Sequence, residues 1–195
     1  MSPQAHPYNW SGLRTFLLAW LFLVVAASRF GFLSGTFPTA QAILVAMTAI
    51  FGLAAFKMPM VRDPLWNCDI RLLIGFHVTR FVGLYFLELY NEGRLPYDFA
   101  VKGGIGDIVV ATLALMVLII PRGVGFRPVA IQIWNLIGLA DILFVVATAI
   151  RINVNNPHSL DELRHMPMSL LPTFLVPMII VTHIVIGLRA RGRQL

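Results

Sequence analysis

Apolar runs separated by charged or Pro/Gly-containing breaks organise this chain of 195 residues. The runs fall near residues 13–33, 38–56, 70–90, 104–120, 129–150 and 168–188. Each is close to the roughly 20 residues that a helix needs to cross a hydrocarbon core of ~30 Å. The pattern predicts an all-α fold, a single helical domain over 1–195 with about six transmembrane helices. The first two runs read as plain lipid-facing helices. In the first, Arg14, the run 15–25 and the small residues Ala26, Ala27 and Ser28 also fit a signal-peptide layout. The polar-aromatic leader MSPQAHPYNWSG and the continuation through Phe30 and Phe32 favour a permanent span.

Two outer connections are long. NEGRLPYDFAVKGGIGD mixes aromatic residues with glycines, and INVNNPHSLDELRHMP carries a capping-box signature at Ser159 and Glu162 that predicts a short surface helix. With six spans, Arg14, Lys57, Arg62, Arg71, Arg122, Arg127, Arg189, Arg191 and Arg193 collect on one side. The other side holds Arg29, Arg94, Lys102, Arg151 and Arg164, mixed with Glu92, Asp98, Asp161 and Glu162. The positive-inside bias therefore predicts cytoplasmic termini in a bacterial inner membrane.

Composition agrees with this picture, with 58% hydrophobic and 12% charged residues, about half the charge of a soluble domain. The net charge of +6 raises nucleic-acid binding, but the arginines mark the ends of apolar runs and form no stripe with interleaved aromatics. No nucleic-acid partner is expected; the bilayer is. One cysteine, Cys68, excludes an internal disulfide framework, a CxxC motif and a Cys-based metal cage.

Chemistry enters where ionisable groups interrupt the later runs, because a charge inside a span costs several kcal/mol unless it finds a partner. His77 and Arg80 lie one turn apart on the third run, and Leu84 and Glu88 continue the same face toward the outside. Asn135, Gly138 and Asp141 share one side of the fifth, where Gly138 leaves room for a neighbouring backbone. Arg80 and Asp141 are at similar depth and are expected to pair. His77, Asn135 and His183 are level with one another nearer the cytoplasmic side. Two level histidines meet the minimum requirement for bis-His haem ligation.

Asp107, after Gly103, Gly104 and Gly106, reads as the N-cap of the fourth helix on a glycine-rich turn, with Glu88 beside it at the outer mouth. Pro177 cannot donate to the carbonyl of Thr173, so the sixth helix is expected to kink there. His158, Asp161, Glu162 and His165 have one-face helical spacing, which reads more simply as a solvated face than as a metal site.

The segments TRFVGLYFLELYNEGRLPYDFAVKGGIGDIVV, WNLIGLADIL and LLPTFLVPMIIVTHIVIGL resemble an uncharacterised family of small bacterial multi-pass inner-membrane proteins with about six helices. The resemblance implies that Arg80, Gly83, Gly93, Pro96, Asp107, Trp134, Asn135, Asp141, Pro172, Pro177 and His183 occupy recognisable family positions. It also implies that position 77 is often not histidine, which weighs against haem. It supplies no activity.

The leading expectation is a polar intramembrane pocket that binds, and moves, a small solute, ion or lipid headgroup. Its residues are Arg80, Asp141, Asn135 and His183, with Glu88 and Asp107 at the outer mouth. The alternatives are a haem b redox protein ligated by His77 and His183, and a non-enzymatic subunit of a homo- or hetero-oligomeric membrane complex. No arrangement of side chains specifies a reaction.

Overall fold

The computed structural model describes residues 10–31 and 39–191, with no side chains described at 39–41. Residues 1–9 of the leader, the end of the first expected span at Leu33, the start of the second at Pro38, and Arg193 lie outside them. Every regular element among the described residues is helical. Five helices are long and apolar enough to cross a membrane, or six if one bent pair counts as a span.

Helix α1 (Trp10–Arg29) precedes α2 (Thr39–Lys57), which turns by 77° into a short helix, α3 (Pro59–Asn67). The run pattern predicts no helix at α3. Pro59 starts it, where a missing N–H is harmless, and Val61, Pro64 and Leu65 bury one side. Asp69 then caps α4 (Ile70–Phe76), accepting from Arg71 N at 3.1 Å, and pairs with Arg122.

The third expected span is not one continuous α-helix. A 3₁₀ segment, His77–Val82, separates α4 from α5 (Gly83–Asn91). A 3₁₀ turn advances about 20° more per residue than an α-helix, so six residues rotate the remainder of the span by about 120°. Arg80 is consequently buried, while Leu84 and Glu88 face outward.

The fourth span starts earlier than expected, as α6 (Tyr97–Ile119) with Pro96 at its N-cap. Gly103, Gly104 and Gly106 are therefore helical. They are close-approach positions: a Cβ on Gly104 would lie 2.8 Å from Gly83 O, so α5 and α6 cross almost backbone to backbone. Helix α7 (Arg127–Asn155) outruns its expected span at both ends.

Between α7 and the last helix, the expected surface helix is a single 3₁₀ turn, Asp161–Arg164. Glu162 forms no capping box there. It holds Arg94 instead, at 2.7 Å, and ties the two long connections together.

The last span comprises a π-turn, Leu171–Leu175, and α8 (Val176–Arg191). The kink expected from Pro177 takes this form, and the carbonyl it frees has a partner: Trp20 Nε1 donates to Thr173 O at 3.2 Å. Helices α1 and α2 are thus not plain lipid-facing helices, since Trp20 is buried and Phe51, Ala54 and Ala55 of α2 lie in the core. Trp20→Phe keeps an aromatic ring and removes the donor. We expect a lower thermal midpoint, equivalent to ~1–2 kcal/mol for an unpaired buried carbonyl, measured by intrinsic fluorescence in detergent.

Candidate functional site

Arg80 sits in the last turn of the 3₁₀ segment with no solvent exposure. Its guanidinium is held from three directions. Nε donates to Asp107 Oδ1 of α6 at 2.6 Å, Nη1 to the Gly138 carbonyl of α7 at 3.0 Å, and Nη2 to Asp141 Oδ2 of α7. The expected Arg80–Asp141 pair is present, and a second carboxylate joins it.

Asp107 is consequently neither an N-cap nor at the outer mouth. It lies ten residues into α6, roughly 15 Å along the helix. The glycine cluster beside it serves helix packing and forms no ligand-cradling loop. Gly106 has a further role, because a Cβ there would overlap the Asp141 carboxylate. Asp141 occupies that notch with 16% of its side chain exposed, against 6% for Asp107. Glu88 is outside the cluster, on the exposed side of α5.

The second polar group lies one turn away. His183 Nδ1 and Asn135 Oδ1 are 2.9 Å apart, and His77 Nε2 lies 3.2 Å from Thr182 Oγ1. Both histidines are fully buried, with His77 Nδ1 and His183 Nε2 lacking hydrogen-bond partners among the described residues. Their ring centroids are 4.0 Å apart, and Trp134 packs at 5.1 Å from His77 and 5.4 Å from His183. Trp134 is itself pinned by Nε1 donating to Val110 O at 3.1 Å. Gly138 makes room here, but for a side chain rather than a backbone: its Cβ would lie 2.5 Å from His183 Cε1.

This geometry does not fit haem. An iron ligated from both faces by imidazoles holds the ring centroids roughly 6 Å apart on opposite sides of the porphyrin. Here the two rings touch each other, so no porphyrin plane passes between them.

Three cavities lie along α7, and two of them reach the polar clusters. One of about 60 Å³ has an almost wholly apolar surface, with walls that include Val82, Phe86, Phe99 and Val145 and with Asp107 at its margin. A second, of about 80 Å³, lies toward the other end of α7 and is lined by Asn153, Arg164, Ser169 and Thr173. The third, of about 360 Å³, is a groove between α7 and α8 that reaches Asn135 and His183 from the end bearing Gln132 and Arg191.

Cys68 takes no part. Burial pushes its thiol up, against the Arg189 guanidinium that favours the thiolate, so it is a poor nucleophile.

The fold and this centre define a class: an all-α bundle of long apolar helices around an ion cluster of Arg80, Asp107 and Asp141. The chain belongs to a family described as "Domain of unknown function (DUF8737)", whose model matches residues 36–189. No curated protein and no solved structure matches the chain.

Thr182 and the ring of Trp134 are site components that the apolar-run pattern does not reveal. Gly106 is a third, and its signal is its position in a run of small residues facing a helix that carries a charge.

Proposed function

We propose that this chain is a multi-pass protein of the bacterial inner membrane, with cytoplasmic termini, in which Arg80, Asp107 and Asp141 form an intramembrane centre for one small cation, most simply a proton, bound in the course of transport. One observation carries the reading: two carboxylates converge on a single guanidinium. With all three ionised the centre holds an uncompensated negative charge, which costs several kcal/mol in an apolar interior. A proton or cation removes that cost.

The same geometry argues against an anionic headgroup on Arg80, because each of its three nitrogens already has a partner inside the protein. It also disfavours a dehydrated metal cation, which would need more oxygen ligands than two carboxylates with one oxygen each to spare. The distribution of lysine and arginine supports the orientation, and the length and apolarity of the helices support the membrane location.

Infrared difference spectroscopy of the protein in lipid nanodiscs tests the centre. The expected result is one equivalent of protonated carboxyl absorbance near neutral pH, removed by Asp107→Asn or by Asp141→Asn. Absence of that band in the folded wild type, in buffers free of sodium and potassium, would show both aspartates ionised and the reading wrong.

A further inference from the structure

The two cavities beside α7 share Leu44, Val146, Ala149, Leu163 and Pro172, so they adjoin and line up as a corridor along that helix. Along α7 it runs from Ile142, at the depth of the charge centre, to Asn153, roughly 16 Å by helical rise. Its chemistry is graded. Asp107 stands at the inner end, a stretch of aliphatic and aromatic side chains comes next, and polar groups gather only at the outer end.

Both ends keep hydrogen-bonding capacity. Among the described residues, no donor reaches Asp107 Oδ2, and the Asn153 amide only accepts, from Arg164 at 3.3 Å.

A corridor of this kind is poorly suited to a hydrated ion, because its walls offer nothing to replace lost water. It suits an apolar body. The surplus negative charge at its inner end selects the sign of whatever such a body carries there. We propose that the corridor binds a lipophilic monocation, an apolar molecule with one ammonium-type charge, whose cationic end lies against Asp107 in place of the proton. This inference rests on the reading of the centre as a site for one cation. It adds the class of organic substrate and the face from which it enters.

Occupancy by proton and by organic cation is then mutually exclusive. Binding one lipophilic cation releases one proton from the centre, with no net change in buried charge. The groups that set this exchange are Arg80 on the 3₁₀ segment, Asp107 on α6 and Asp141 on α7, with His77 on the 3₁₀ segment and His183 on α8 a turn away. Pro172 and the π-turn form part of the corridor wall, so the irregular backbone lies where a chain-like molecule would slide past.

The test uses the full chain in nanodiscs, with n-octyltrimethylammonium as the probe and 1-octanol and octanoate as neutral and anionic molecules of the same chain length. Empty nanodiscs give the partitioning baseline. The expected result is saturable binding of the octylammonium probe, release of about one proton per probe bound in weak buffer, and matching loss of the protonated-carboxyl band. Octanol and octanoate should bind at least tenfold more weakly above baseline. In Asp107→Asn, probe binding and proton release should both fall at least tenfold.

Ala149→Trp fills the corridor without touching the charges and should weaken the probe by a similar factor. If the carboxyl band is present in the wild type but the probe neither binds saturably nor releases a proton, the lipophilic-cation inference is overturned while the proton centre stands. If octanol or octanoate binds as well as the cation, the corridor is only an apolar tail site and the inference is again overturned. If the band itself is absent, the underlying reading of the centre has failed instead. Because proton release is measured on the wild type, misfolding of a variant leaves the test intact.

Discussion

Arg80→Ala should leave very little monodisperse protein after extraction, and what remains should unfold at a markedly lower temperature. The substitution removes three hydrogen bonds at once and leaves two carboxylates facing each other across the space of a fully buried side chain. Breaking a buried pair by deleting one partner costs ~3–5 kcal/mol, and here one cation serves two anions. Against a total stability of about 5–15 kcal/mol for a typical domain, that is a large fraction.

The control is electrostatic. Adding Asp107→Asn and Asp141→Asn to Arg80→Ala removes both orphaned charges and should recover much of the midpoint. Arg80→Lys should fall between, since a single ammonium cannot address Asp107, Asp141 and Gly138 O with the spread of a guanidinium. Thermal unfolding by size-exclusion fluorescence reads all four proteins. A triple variant no better than Arg80→Ala would show that the arginine acts through packing volume rather than charge.

Legibility in the sequence depends on which signals are one-dimensional. Arg80 and Asp141 stand out as charges inside apolar runs, and their similar depth comes from counting residues, so their pairing was legible. Asp107 also stood out, but its role did not. Gly103, Gly104 and Gly106 look like a turn by local propensity, and only packing makes them helical, with Gly104 against Gly83 of α5 and Gly103 and Gly106 against Val145 and Asp141 of α7. The same tertiary override moved the start of α6 from 104 back to Tyr97.

Glu88 shows a different limit. A helical face can be extrapolated only while the helix keeps its pitch, and nothing local marks His77–Val82 as 3₁₀. The histidines show a third case. Counting put His77, Asn135 and His183 at one level, and the structure does bring them together. Level residues can nevertheless touch or flank a cofactor, and only the ring separation distinguishes the two. For Pro177 the orphaned carbonyl of Thr173 was legible and its partner, Trp20, was not, since 153 positions separate donor from acceptor.

The crossing of α5 and α6 gives the second large expected effect, because it sets the position of the charge centre. Gly83 and Gly104 meet there. A Cβ on Gly83 would overlap the Gly104 carbonyl oxygen and come within 3.0 Å of Asp107 Cβ. The obstructing atom is backbone, so no rotamer change relieves it and the helices must move apart. Arg80 lies three residues before Gly83 and Asp107 three after Gly104, so the displacement passes directly into their 2.6 Å bond.

Gly83→Ala is therefore expected to lower stability by ~1–3 kcal/mol from overpacking, with a further loss as the ion pair lengthens. Gly75→Ala is the matched comparison. Its Cβ would meet only Leu118 Cδ1, at 3.9 Å, an ordinary contact, and alanine should stabilise the helix by up to ~1 kcal/mol. The midpoint should therefore fall for Gly83→Ala and hold or rise for Gly75→Ala, and only Gly83→Ala should shift the protonated-carboxyl band of the centre. Equal midpoints would mean that the crossing has slack. A lowered midpoint with an unmoved band would mean that the centre moves with α6 and α7 rather than with this contact.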